Sequence, residues 1–180
     1  MFNWFTRFFS SRRSGPQRPE GFQPATLLDE SFIFNSILAE AAHGHFSSDY
    51  RLPNMQRGLI RQIQTSIIQG VCPTHRSPIS ESSLYVVVKE NTPVGFSWVV
   101  ETDKRGEKEL YLLAVSADHR VQGIGRTLVS ETIARFPPKT KFIARLYQPS
   151  QVMWNMLIKM GFKRVASTAK STKTLSYVSG

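Results

Sequence analysis

Three strand-like runs follow one another with no room for a helix between them: Leu84 to Lys89 (LYVVVK), Val94 to Glu101 (VGFSWVVE) and Glu109 to Val115 (ELYLLAV). All three are rich in β-branched, aromatic and other apolar residues. The connections, a turn at Asn91-Thr92-Pro93 and another from Asp103 to Glu107, are too short for a parallel crossover, which needs a dozen or more residues. The runs must pair as an antiparallel meander. After Val115 comes Arg120-Val-Gln-Gly123-Ile-Gly125, and the apolar period changes at once to that of a helix, with Leu128, Val129, Ile133 and Phe136 on one stripe. A strand therefore runs through a glycine turn straight into a helix.

Elements on either side of this centre alternate in type. Leu28, Phe32, Ile33, Ile37, Leu38 and Ala41 recur at three- to five-residue steps, predicting a helix over 27–42 with Asp29 and Glu30 at its dipole-favoured start. Pro53 opens a second helix whose stripe is Met55, Leu59, Ile60, Ile63, Ile67 and Ile68, stopped by Gly70. Pro137-Pro138 breaks the helix after the glycine turn, and Lys141 to Tyr147 (KFIARLY) reads as a strand. Ser150 is placed to cap a helix through Met160 that ends at Gly161, and Phe162 to Ala166 and Thr172 to Val178 read as closing strands. The order predicts a mixed α+β fold, and 180 residues fit one domain.

The first ten residues, MFNWFTRFFS, put Phe2, Trp4, Phe5, Phe8 and Phe9 on one helical arc and Asn3, Thr6, Arg7 and Ser10 opposite. A Ser-, Pro-, Gly- and Arg-bearing stretch follows, so residues 1–21 read as an amphipathic, basic extension and linker, and 22–180 as the folded domain. Three destinations stay open for the extension: an anionic membrane surface, an organelle import pathway, or a docking place on this domain or a partner. No run approaches the roughly 18 to 20 apolar residues needed to cross a bilayer. Lone Cys72 supports neither an internal disulfide nor a multi-cysteine metal site. The expected setting is reducing and cytoplasmic, with peripheral membrane contact if the extension is an anchor. His43-x-His45 lacks further ligands at metal spacing, so no metal is expected; a capping or substrate-facing role suits the pair better.

Charge is the unusual part of the composition: 23 Lys plus Arg against 13 acids, a net of +10. No acid follows Glu131, whereas Arg135, Lys139, Lys141, Arg145, Lys159, Lys163, Arg164, Lys170 and Lys173 do. Such a balance favours anionic partners (nucleic acid, phosphorylated cofactors, acidic lipid) and disfavours small polycationic substrates.

Glycines at 123 and 125 let backbone approach a ligand, and the first N–H groups of the following helix point at an anion. The third glycine of a dinucleotide fingerprint is absent and the preceding strands are not βαβ units; no Gly-Lys-Ser/Thr follows, so this is no Walker A loop. The segment resembles the acyl-CoA loop of the GNAT N-acetyltransferase superfamily, whose pattern is Gln/Arg-x-x-Gly-x-Gly/Ala; Arg120, Gly123 and Gly125 match it. Glu109-x-x-x-Leu113-Ala-Val115 resembles the strand before that loop in the histone-acetyltransferase branch, Gly95-Phe96 the start of the strand before that, and Met160-Gly-Phe162 the end of the fourth helix. The likeness runs from about Leu84 to Ala166.

The resemblance implies the acyl-CoA N-acyltransferase fold, with a central, mostly antiparallel, splayed sheet flanked by helices, and an acyltransferase that uses acetyl-CoA as co-substrate. It implies a pyrophosphate site on the backbone of Arg120, Val121, Gln122, Gly123, Ile124, Gly125 and Arg126. It implies a pantetheine arm bonded to the backbone of Leu113 and Val115, and a thioester carbonyl polarised by the Leu113 N–H. Glu109 stands where that branch carries its general base, with Glu101 and Glu107 as fallbacks. Two positions depart from the pattern. Leu157 replaces the Tyr that often protonates the leaving thiolate, leaving Tyr147 or solvent to do so; Ser150 replaces a pantetheine-contacting Asn. The expected reaction is direct attack, in a ternary complex, by a primary amine of a protein or peptide. Alternatives are the amine of an aminoacyl-tRNA and a non-catalytic CoA-binding or membrane-recruited regulatory module. Monomer and homodimer both remain open.

Overall fold

The computed structural model describes residues 17–73, 79–166 and 171–180. Strand β1 (Gly21–Pro24) precedes helix α1 (Glu30–Ala42) and helix α2 (Pro53–Gln69). Then come β2 (Val71–Cys72), β3 (Ser80–Lys89), β4 (Thr92–Glu101), β5 (Glu107–Val115), helix α3 (Ile124–Ala134), β6 (Lys141–Tyr147), helix α4 (Gln151–Lys159), β7 (Lys163–Val165) and β8 (Thr172–Val178). The sheet order is β1-β3-β4-β5-β6-β8-β7, with β2 pairing β3 off this path. Each pairing is antiparallel except β5 with β6, which is parallel. The mixed α+β fold and mostly antiparallel sheet expected from the sequence are those observed.

Both sheet faces are covered, which is why β4 is buried along nearly its whole length. On one face α1 and α2 bring Ile33, Ile37, Leu59 and Ile63 against Val86, Phe96, Trp98, Leu112 and Ala114. On the other, Val129 of α3 and Trp154 and Leu157 of α4 pack with Val99, Leu110, Phe142, Leu146 and Phe162. Burying Trp98 strands an indole N–H, which is satisfied by Ser82 Oγ at 2.8 Å; that hydroxyl in turn donates to Ser66 Oγ of α2 at 2.9 Å.

The helical stripes are narrower than the sequence predicts. Leu28 is 81% exposed because a 3-10 turn over Leu27–Asp29 comes before α1, and Met55 and Ile68 lie at the exposed ends of α2. The first hairpin turn is also tighter than expected. It consists of Glu90 and Asn91, both at positive φ, while Thr92 and Pro93 already pair with Lys89 and Val88; a two-residue turn of this kind matches strand twist. Composition gives no hint of β1, which pairs with Val88 to Tyr85. Contacts of the fold reach back to Arg18, whose guanidinium bonds both oxygens of the fully buried Asp29 carboxylate at 2.5 and 3.0 Å. Phe2, Trp4, Phe5, Phe8 and Phe9 lie outside the described residues.

Candidate active site

β5 and β6 begin side by side and then part. Their pairing covers Glu107 with Lys141, Lys108 with Phe142 and Glu109 with Ile143, and goes no further. β5 nevertheless continues on β4 as far as Val115, and β6 continues on β8 as far as Tyr147. The cause is local. On the β4 side, Leu110 stands opposite Val99 and Leu112 opposite Trp98, so Tyr111 is an extra, bulged residue, and a bulge bends and twists its strand. A wedge opens at this point.

Backbone direction within the wedge follows from strand alternation. The Ser116 N–H donates to the Val94 carbonyl at 2.9 Å, so in the regular register of Ala114 with Phe96 and Val115 with Gly95 the N–H groups of Leu113 and Val115 face away from β4, into the gap. Arg120 Nε bonds the Val115 carbonyl at 3.1 Å from the same side.

At the mouth of the wedge stands the glycine turn. Gly123 is the N-cap of α3 at φ +83°, a left-handed conformation, and a Cβ there would meet nothing within 4 Å. The Thr127 N–H is bonded to the Gly123 carbonyl at 3.0 Å, so the N–H groups of Ile124, Gly125 and Arg126 have no acceptor one turn back and form a positive, donor-rich end. At Gly125 a Cβ would make van der Waals contact with Met156 Sδ of α4, 3.4 Å away. The Arg120 side chain, itself exposed, folds back toward α1 and is ion-paired there with Glu40. Val121 is fully exposed at positive φ. Gln122 is held by its side chain to the Asp118 carbonyl and by Lys89 Nζ. Arg126 is exposed and makes no ion pair among the described residues.

At the closed end of the wedge, Glu109 is ion-paired with Arg145 of β6. Glu101 and Glu107 are engaged elsewhere, with Lys108 and Lys141. Tyr111, on the bulge, bonds Tyr50 hydroxyl to hydroxyl at 2.9 Å. Burial above all, and then Tyr111, push the Tyr50 phenol far above its ordinary range; burial likewise raises Tyr111, with Glu109 and Tyr147 among the charges that add to it. Tyr147, at the tip of β6, is close enough to interact electrostatically with both. Phenols therefore gather here from three elements. Leu157 is 1% exposed and packed in the core, so the position at which the resemblance leads one to expect an acid is filled here by packing.

Ser150 stands at the N-cap of α4, with its carbonyl accepting from the Trp154 N–H at 3.0 Å, but its side chain makes no capping bond. The hydroxyl instead meets His45 Nδ1 at 3.1 Å. The loop between α1 and α2 thus touches both arms of the wedge, His45 on the β6 side and Tyr50 on the β5 side. These side-chain ties, and the Tyr111 bulge behind them, escaped the sequence reading; the one available signal was the aromatic and His content of residues 43–50. Among the described residues no group of three or more His, Cys, Asp or Glu is placed to hold a metal, and no helix is long and apolar enough to cross a membrane.

The architecture recurs in solved structures. PaiA N-acetyltransferase from Thermoplasma acidophilum, in complex with coenzyme A, is similar with a TM-score of 0.65 and 15% identity over 87% of this chain and 97% of that one. An acetyltransferase from Thermus thermophilus reaches 0.66 at 16% identity, over 87% and 95%. A GNAT superfamily phosphinothricin acetyltransferase from Sinorhizobium meliloti, in complex with acetyl-CoA, reaches 0.64 at 14% identity, over 88% of each chain. At such identities the likeness is one of fold. No curated protein matches the sequence significantly. The model of the acetyltransferase (GNAT) family matches residues 56–162, more than half of the chain, and with a splayed β5–β6 pair feeding a glycine turn the chain belongs to that family and is an acyltransferase.

Proposed function

We propose that this enzyme moves an acetyl group from acetyl-CoA to a primary amine of a protein or peptide. The parting of β5 from β6 after Glu109 and Ile143 carries the reading. It leaves a strand edge with no strand beside it, the setting in which an extended amide-bearing chain such as pantetheine is held by β-augmentation. The residues fit such a ligand: the N–H groups of Leu113 and Val115 face the gap, and those of Ile124, Gly125 and Arg126 offer an anion site at the helix start. Acetyl-CoA, when bound, supplies a thioester carbonyl open to nucleophilic attack. The Leu113 N–H polarises it, a contribution of about 2 to 4 kcal/mol for one such donor.

Glu109 takes the proton of the attacking amine, directly or through a water, and Arg145 fixes its carboxylate in place. Tyr147 and solvent share protonation of the departing thiolate, which leaves readily because thiolates are weak bases. Ser150 and His45 close the side of the cleft nearest α4. The complexes that the Thermoplasma and Sinorhizobium proteins form with coenzyme A and acetyl-CoA support this choice of co-substrate. The loop over 43–52, polar and open to solvent on one side, favours an acceptor presented on a polypeptide.

The test is incubation of the full chain with isotopically labelled acetyl-CoA and cellular protein, followed by mass spectrometry of labelled amines. Glu109→Gln is expected to slow labelling at least tenfold with coenzyme A binding retained. Undiminished turnover would remove Glu109 from the mechanism, and absence of any labelled protein amine would reject the acceptor class.

A further inference from the structure

All thirteen carboxylate side chains of the chain lie before residue 132, so β6, α4, β7 and β8 carry no negative side chain. Two of the cations on these elements are neutralised from β5, Lys141 by Glu107 and Arg145 by Glu109. The others form no ion pair among the described residues. Arg164 and Lys173 converge on one ring, their charged groups 5.0 and 5.8 Å from the centre of the Trp154 indole. That indole is 8% exposed, so it buttresses the two cations and is too covered to stack on a base. Lys159 ends α4 and Lys163 begins β7, both exposed. β7 is the last strand of the sheet, and all three of its residues are exposed.

Charged residues on a short edge strand commonly guard against edge-to-edge pairing. That role is served by either sign, and it does not account for two cations gathered over a common ring with no carboxylate beside them. Like charges held together are relieved by an anion, and a row of them along an exposed edge suits a polymer of phosphates better than one small ion. Backbone contacts of this kind position a nucleic acid without reading its sequence. The patch also adjoins the wedge: Lys173 lies opposite Leu146, next to the pairing of Tyr147 with Thr172, and Trp154 is one turn into the helix that starts beside Ser150.

We propose that Arg164 and Lys173 over Trp154, flanked by Lys159 and Lys163, form a docking surface for the phosphate backbone of RNA. This does not depend on the acceptor assigned above.

The test is fluorescence anisotropy of the full chain with a fluorescein-labelled RNA hairpin across a salt series. Binding is expected to weaken linearly in log–log form, with a slope corresponding to about three or four phosphate contacts. The double variant Arg164→Glu/Lys173→Glu should lose at least tenfold in affinity and flatten that slope. Lys159→Glu/Lys163→Glu, which disturbs no ring contact, covers the case in which the first variant is misfolded by thermal melting, and should lose at least fivefold. Lys104→Glu/Arg105→Glu, an equal charge change on the exposed β4–β5 turn, should stay within twofold of the parent. Equal loss in patch and control variants would assign binding to net charge and overturn the proposal. So would the absence of hairpin binding at physiological salt, or binding to phosphatidylserine vesicles alone.

Discussion

Arg120 shows how a residue in a recognisable motif can do a different job from the one its charge advertises. Its guanidinium joins the end of β5 to α1 through Val115 and Glu40, so it holds the glycine turn against the helical layer; in the proposed complex the phosphates fall to backbone N–H groups and Arg126. Glu107 is a second paired carboxylate, 7% exposed in its side chain and bonded to Lys141 and Thr102. Burial by itself would raise its pKa, but the bonds from Lys141 and Thr102 outweigh burial and hold it below the usual 4.5. A depressed carboxylate contributes stability that is present above the ordinary pKa and lost as pH falls through the folded one. Glu107→Gln is therefore expected to cost about 1 to 2 kcal/mol near neutral pH, with the difference from the parent shrinking as pH falls below the ordinary carboxylate range; urea unfolding at several pH values measures it. A penalty that persists undiminished in acid would mean that packing, and not charge, is lost.

The elements make the site by failing to stay paired. The bulge at Tyr111 turns β5 away from β6 where their shared register ends, and α3 then starts at the mouth of the opening. Its seat depends on Gly95. A Cβ there would stand 3.0 Å from Leu128 Cδ1, 3.1 Å from the Ala114 carbonyl and 3.3 Å from Ile124 Cγ2. Gly95→Ala is thus expected to lose about 1 to 3 kcal/mol by overpacking and to weaken coenzyme A binding, because Ile124 opens the helix whose N–H groups are proposed to take the phosphate. Gly123→Ala meets no neighbour but must hold φ +83°, at about 1 to 2 kcal/mol. Calorimetric titration with coenzyme A, together with unfolding curves, tests both; an alanine at 95 that leaves stability and affinity unchanged would refute the crowding.

At the scale of the molecule, charge is partitioned. Glu40 on α1 and Glu107 and Glu109 on β5 are matched with specific cations, and the surface built from the last third of the chain is left positive. The basic, aromatic extension before residue 17 is a separate feature, and Arg18 marks where it joins the fold, through Asp29. A truncation meant to test the extension must stop short of that residue. Removing residues 1–16 is expected to leave the melting temperature within a few degrees of the parent. If the extension is a membrane anchor, the truncated form loses co-sedimentation with phosphatidylserine vesicles; equal sedimentation of the two forms would eliminate that role.

Periodicity and turn chemistry were enough to order nearly all the elements, because alternation in strands and a stripe in helices are local properties of the chain. The glycine turn was legible for the same reason, since φ +83° at Gly123 and the exposed helix start are written in adjacent residues. The short partner strand β1 and the Tyr111 bulge were not, and the open edge of β5 was expected only through the family resemblance. Each depends on what a distant segment places alongside. So do the pairing of Glu109 with Arg145 and the phenols that gather from Tyr50, Tyr111 and Tyr147. Local sequence determined that a strand meets a phosphate-ready helix; only the tertiary structure decided that β6 turns aside and leaves the cleft between them, because strand pairing is a contest between segments far apart in the chain.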